Sequence, residues 1–156
     1  MYREGKIFEQ EYKRGIPAYD VKEVGKTDQR GTTVTFSPDK EIFTSHEYKY
    51  DTVATRLREL SFLNAGIKIF LIDERDTDDN GEFKKETFFS EGGLVEFVNY
   101  LDGSREKLIP DPIYMEGKKE NVPVQVAMSY NLSYSENVVS YVCLLYTSDA
   151  ADDLLC

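Results

Sequence analysis

The chain has 156 residues, of which 40% are hydrophobic and 31% charged, proportions that are typical of a folded domain and exclude a disordered segment. Its net charge of −10 argues against a module that grips DNA directly, because phosphate groups repel such a surface, and no basic stripe is visible in the sequence. No apolar run approaches the roughly 20 residues that a helix needs to cross a bilayer, so we expect a cytoplasmic protein without a membrane partner.

The first third of the chain predicts short strands separated by turns. Alternating side chains predict a strand over residues 6–13, which the turn at 14–17 ends. A second short strand is predicted over 21–24. The β-branched run 32–36 predicts a third strand, with Val34 on one of its faces.

The clearest helix is predicted over residues 51–64. Asp51 is a suitable N-cap, and apolar side chains recur at helical spacing after it. Gly66 stands where the end of a helix favours a residue that accepts positive φ. A largely buried strand is expected next, over residues 67–74.

The second half predicts a further helix and two more strands. An acidic hairpin loop at 76–82 leads into a strand at 83–89. Gly92 and Gly93 begin a helix that Gly103 ends, and strands follow at 113–116 and 121–130. Strands interrupted by two separated helices indicate an α+β fold, in which each helix covers one face of a largely antiparallel sheet.

Spacing alone does not assemble a catalytic set or a metal site from these residues. Residues 76–81 resemble the first half of a calcium loop, but position 12 is Thr87 where a bidentate Glu is required, so an acidic turn is the favoured interpretation. His46, the only histidine, has no second histidine or cysteine nearby and is interpreted as a surface residue. At 30–36, Gly31 permits close backbone approach and Thr32 offers a hydroxyl to a ligand, although from the residues alone an ordinary turn into a strand is the favoured interpretation.

Several phrases in order resemble a known family, the B subunits of the bacterial type II topoisomerases DNA gyrase and topoisomerase IV. The resemblance runs from about residue 2 to 142, and its most specific phrase is RLRELSFLN at 56–64. The other phrases lie at residues 3–7, 14–17, 25–28, 31–39, 91–93 and 134–137. The family's nucleotide site is of the GHKL type, so the resemblance implies a Bergerat-type sandwich of helices and sheet that holds ATP and Mg²⁺. Residues 1–87 would be its C-terminal part, and residues 88–142 the N-terminal part of the transducer domain.

The resemblance also implies roles for four residues. Thr32 matches the threonine that family members place at the adenine edge, partly through water, and Gly31 belongs to the same phrase. Val34 matches an apolar residue of the adenine pocket. Arg3 matches an arginine at the pocket mouth, where aminocoumarins also bind.

Other parts of the family's machinery are expected outside these 156 residues. They include the general-base glutamate, the asparagine that holds magnesium, the glycine-rich lid and the transducer lysine. We therefore expect the chain to be an internal fragment with no catalytic residue of its own and no ATPase activity alone. Residues 143–156, which hold both cysteines, read like translated adapter sequence and are predicted to be non-native.

The function implied by the resemblance is ATP-driven DNA strand passage with negative supercoiling. Its partners would be double-stranded DNA and the DNA gyrase A subunit in an A2B2 assembly, with ATP-dependent dimerisation of the B subunits. The B subunit of topoisomerase IV performs the same chemistry without negative supercoiling and remains an alternative. A non-catalytic, acidic α+β interaction module is the alternative of another class. A different GHKL ATPase is a third alternative, and the phrase at 56–64 argues against it.

Overall fold

The computed structural model describes residues 1–77, 80–103, 105–134, 136–142 and 144–147. Its contacts divide the chain into two compact units, Met1–Glu47 and Tyr48–Cys156. Every strand pair recorded in either unit is antiparallel. Because two helices accompany these antiparallel strands, the predicted α+β class is confirmed.

The first unit is built from five short strands. They are β1 (Tyr2–Arg3), β2 (Lys6–Glu9), β3 (Tyr12–Lys13), β4 (Ile16–Pro17) and β5 (Lys22–Lys26). β1, β2 and β5 form one sheet in that order, and β3 pairs with β4. Glu4 and Gly5 both have positive φ, which suits the tight turn between β1 and β2. The strand predicted over 6–13 is therefore two strands, since β2 ends at Glu9 and β3 belongs to a separate hairpin.

The strand predicted over residues 32–36 is absent from the described structure. Gly31, the residue just before this run, pairs with Tyr2 through an isolated bridge. Val34 is 77% exposed and Phe36 is 72% exposed. A β-branched run favours extended backbone, but a strand also needs a neighbouring strand, and in the described structure no strand ladder includes residues 32–36.

In the second unit, helix α1 (Tyr50–Leu63) packs on a hairpin of β6 (Ile69–Thr77) and β7 (Phe83–Phe88). The predicted N-cap was wrong: Lys49 holds that position without a side-chain bond, and Asp51 lies in the first turn. A carboxylate there still favours the helix electrostatically. The fully buried residues of α1 are the small Ala54 and Ser61, whereas the predicted apolar stripe is only half-buried. Small side chains let the helix approach its neighbours closely.

The prediction that the strand after α1 is largely buried was also wrong. β6 alternates, so Ile69 and Leu71 are half-buried while Phe70 is 66% exposed on the other face. The hairpin itself is confirmed, with Ile69 opposite Phe88. Asp78 and Asp79, part of the acidic loop considered for calcium, lie outside the described residues.

Helix α2 (Leu94–Asp102) is flanked by Gly93 and Gly103, as predicted. It packs on the hairpin of β8 (Ile113–Lys119) and β9 (Val122–Met128). Between these strands Glu120 and Asn121 both have positive φ, the geometry of a two-residue hairpin turn. Each helix thus covers one antiparallel hairpin, which confirms the expected arrangement.

The apolar centre of the second unit is small. Among the described residues its fully buried hydrophobic side chains are Ala54, Phe88 and Phe97. The Phe97 ring stacks on Phe62 with 5.2 Å between centroids and contacts Tyr141 at 6.1 Å. These rings join α1, α2 and β10 (Ser140–Val142), which pairs with β11 (Leu145–Thr147). Most of the segment predicted to be non-native, including both cysteines, lies outside the described residues.

Ser90 connects the two helices of this unit. Its carbonyl accepts a hydrogen bond from the N–H of Gly66, just after α1, at 2.8 Å. Its buried hydroxyl accepts one from the N–H of Gly93 at 3.0 Å and donates to Glu96 in α2. Gly66 has a φ of 86°, which is the left-handed backbone conformation predicted at this position. The end of α1 and the start of α2 are therefore fastened to one residue.

The helices of the described residues are too short or too polar to cross a membrane.

Candidate functional site

The structure brings three of the four predicted site residues together at one edge of the first unit. The N–H of Tyr2 donates to the carbonyl of Gly31 at 2.8 Å, and the N–H of Gly31 donates back at 3.1 Å. Arg3 follows Tyr2 and Thr32 follows Gly31, so the bridge holds the backbones of these two residues near each other. The bridge therefore brings a residue with a cationic side chain and a residue with a hydroxyl to the same edge.

Gly31 has a backbone conformation that other residues rarely adopt. Its φ is +150°, and a Cβ built on it would meet nothing within 4 Å. The backbone conformation at this position therefore favours glycine, whereas a side chain would meet no neighbouring atoms. Open space lies beside the glycine. A flat ligand edge could approach the backbone at this point.

Thr32 and Val34 lie on the surface of the first unit. Thr32 is exposed, so its hydroxyl is not packed inside a closed core, an outcome that would have ruled out a ligand-facing role. Val34 is also exposed, so neither residue lies inside an enclosed pocket. The two residues present one hydroxyl and one apolar surface to solvent.

Arg3 belongs to a row of basic residues that was not recognised in the sequence. The strand register sets Arg3 opposite Lys6, and Lys6 opposite Lys26, across three neighbouring strands. Directly paired residues point to the same face of a sheet, so the three cations share a face. The tight turn at Glu4–Gly5, where both residues have positive φ, is the local signal that could have revealed the pairing of Arg3 with Lys6.

Carboxylates partly neutralise this row. Arg3 pairs with Glu4 at 3.2 Å, and the ammonium group of Lys6 donates to Glu23 at 2.7 Å. That hydrogen bond raises the pKa of Lys6, and the charge of Glu23 acts in the same direction. Lys26 is exposed and extends the row at its outer end.

The second unit contains an ion-pair network that joins α1 to its hairpin. Arg58 and the hydroxyl of Tyr50 both donate to Glu86, at 2.5 and 3.3 Å. Burial and the charge of Glu86 raise the pKa of Tyr50. These contacts hold α1 on β7, so we assign the network to stability and not to chemistry.

Within the described residues, no cluster of three or more His, Cys, Asp or Glu side chains could hold a metal ion. His46 is exposed, in agreement with its interpretation as a surface residue.

Comparison with known proteins agrees with the resemblance. A family model described as DNA gyrase B matches residues 93–150. The DNA gyrase B subunit of Cytophaga hutchinsonii is 63% identical over 142 residues, which are 91% of this chain and 30% of that protein. The corresponding protein of Eisenibacter elegans is 54% identical over the same shares of the two chains. The chain thus spans less than a third of the length of these relatives.

Solved structures give the same result for the fold. The 43K ATPase domain of Thermus thermophilus gyrase B, crystallised in complex with an aminocoumarin, superimposes with a TM-score of 0.73 at 29% identity. The match covers 93% of this chain and 38% of that one. The DNA gyrase B protein of Myxococcus xanthus has a TM-score of 0.74 at 19% identity, covering 94% and 42% of the two chains, which shows the fold alone. By sequence and by fold, the chain is therefore similar to a segment of DNA gyrase B subunits.

Proposed function

We propose that the protein carrying this segment is the B subunit of a DNA gyrase. It couples the binding and hydrolysis of ATP, with Mg²⁺, to DNA strand passage and negative supercoiling. It acts in the cytoplasm with the gyrase A subunit, in an A2B2 assembly on double-stranded DNA, and its B subunits dimerise when ATP binds. The identity of 63% to the Cytophaga hutchinsonii protein supports this proposal. The relatives named above are all gyrase B subunits, which favours gyrase over topoisomerase IV.

Within that protein, residues 1–87 belong to the ATPase domain and residues 88–142 begin the transducer domain. Residues 143–156 do not belong to the native sequence. The family model matches as far as residue 150, which speaks against the last assignment for its first eight residues, and resequencing of the gene tests it.

The bridge between Tyr2 and Gly31 is the observation that carries the nucleotide-binding role. It brings Arg3 and Thr32 to the same open edge, next to a glycine with open space beside it. The Thr32 hydroxyl can both donate to and accept from the polar edge of a purine. Val34 provides apolar contact to the ring, and Arg3 provides a cation at the rim of the site.

A chimera tests the function. Residues 1–142 would replace the matching segment of Cytophaga hutchinsonii gyrase B, and the purified chimera would be combined with gyrase A of the same organism. We expect ATP-dependent negative supercoiling of relaxed plasmid. A chimera that folds, as judged by circular dichroism and a cooperative melt, but does not supercoil DNA with ATP would reject the proposal and favour the non-catalytic interaction module.

Two substitutions in the chimera test the site. Thr32→Ala removes one hydrogen bond worth about 1 kcal/mol and should raise the KM for ATP about three- to tenfold. Thr33→Ala, the adjacent threonine, is the matched control and should leave the KM unchanged. Equal effects of the two substitutions would exclude Thr32 as the contact.

The 156-residue chain alone is expected to lack ATPase activity. Steady ATP turnover that Thr32→Ala abolishes would contradict this expectation, whereas turnover unaffected by Thr32→Ala would indicate a contaminating enzyme.

A further inference from the structure

The second unit contains a cavity of about 570 Å³ that the proposed function does not use. Its walls come from the end of α2, the end of β9 and residues 136–139. Ligand pockets in proteins typically enclose about 300–1,000 Å³, so the cavity is large enough for a small organic molecule. The apolar part of its wall consists of Val98, Leu101, Val126, Met128, Val138 and Val139.

The polar part of the wall contains two oxygen atoms without hydrogen-bond partners. Asp102 is 8% exposed, and its Oδ1 accepts a hydrogen bond from Asn131 at 2.5 Å. In the part of the chain that the structure describes, Asp102 Oδ2 and the hydroxyl of Ser129 are buried without a partner. Because a buried polar group without a partner is unfavourable, a ligand that brings N–H donors would be favoured here.

The electrostatics of the wall favour a cation. Asp102 is the last residue of α2, where the partial negative charge of the helix end adds to that of the carboxylate. Glu136 contributes a second acidic side chain to the wall and Arg105 contributes one basic side chain, and both are exposed. The charged side chains of the wall are therefore two carboxylates and one guanidinium, of which Asp102 alone is buried.

We propose that this cavity binds a small organic cation, a primary ammonium group on a short apolar stem. The ammonium group donates to Asp102 Oδ2 and Ser129 Oγ, and the stem lies against the valines of the wall. Both oxygens are closed to solvent in this conformation, so binding includes rotations of the Asp102 and Ser129 side chains toward the cavity. Site and ligand class are independent of the nucleotide edge in the first unit.

The test compares a charged and a neutral probe of the same size on the full 156-residue chain. Butylammonium chloride and 1-butanol would be titrated at constant ionic strength while the backbone amide shifts of residues 98–102 and 126–131 are recorded by NMR. We expect butylammonium to bind about tenfold more tightly than butanol, the ratio that one hydrogen bond to a charged group provides. Equal affinities, or no shifts at these residues, would overturn the proposal.

Three variants identify the groups involved. Asp102→Asn should weaken butylammonium binding about tenfold and bring it close to that of butanol. Arg105→Gln removes the competing cation and should preserve or strengthen binding, whereas a loss would overturn the proposal by indicating an anion site. Asp111→Asn changes an exposed carboxylate outside the cavity and should have no effect. If Asp102→Asn does not fold, Ser129→Ala decides instead, and an unchanged preference for the charged probe in that variant would contradict the assigned contact.

Discussion

Phe97 should be the residue on which the stability of the second unit depends most. It is 3% exposed and stacks on Phe62, and the fully buried apolar side chains in the described part of this unit number only three. Replacing a buried phenylalanine by alanine costs about 3–5 kcal/mol, which includes the lost transfer free energy and the cavity left behind. Natural domains are stable by about 5–15 kcal/mol, so Phe97→Ala should remove at least about a fifth of the free energy of unfolding, and more if the domain is marginally stable.

The assay is urea unfolding of the full chain followed by circular dichroism, with Phe70→Ala as the matched control. Phe70 is 66% exposed on the outer face of β6, so the same chemical change should cost about 0.5 kcal/mol or less. A single cooperative transition is required for the comparison. If both variants lose the same free energy, the ring cluster of Phe97 is not the core of this unit and the reasoning is refuted.

Three further results are expected. Hydrogen bonds from the Arg75 side chain and backbone lower the pKa of Asp73 from 3.8 to about 2. The stabilising effect of the Asp73 carboxylate should therefore be complete above about pH 4 and disappear as the pH falls toward 2. Urea titrations across this range should show less pH dependence for Asp73→Asn. Gly31→Ala in the chimera should raise the KM for ATP several-fold, because φ +150° strains an L-residue by about 1–3 kcal/mol. Gly117→Ala is the control and should leave the KM unchanged, since Gly117 also has open space around it. Ser90→Ala leaves the N–H of Gly93 unpaired in a buried position and should cost about 1–3 kcal/mol in the same urea assay, while Ser90→Thr should lose less if the hydroxyl is what matters.

Local chemistry explains why some elements were predictable from the sequence. Helix α2 begins after Gly93 and ends before Gly103, because glycine accepts the positive φ that both ends require. Strand β9 likewise follows the alternation of residues 121–130, although Asn121, predicted to begin that strand, lies in the turn before it. In these cases the deciding interactions lie within a few residues of one another.

The failures share a different cause, which is dependence on distant partners. The β-branched run 32–36 has the composition of a strand, but in the described structure the one strand bridge at this segment is formed by Gly31, just before it. The basic row at Arg3 exists because of strand register, which brings Lys26 to Lys6 from twenty residues away. The closeness of Arg3 and Thr32 along the backbone also depends on that long-range bridge, which local sequence patterns do not predict.

The attachment of both helices to Ser90 has a mechanical consequence. A flexible linker at the boundary predicted between residues 87 and 88 would let the parts on either side of it reorient independently. Here one backbone carbonyl and one hydroxyl of the same residue fix the exit of the first helix and the entry of the second. A tilt of either helix must therefore displace the other or break these bonds, so the two helices are expected to move together.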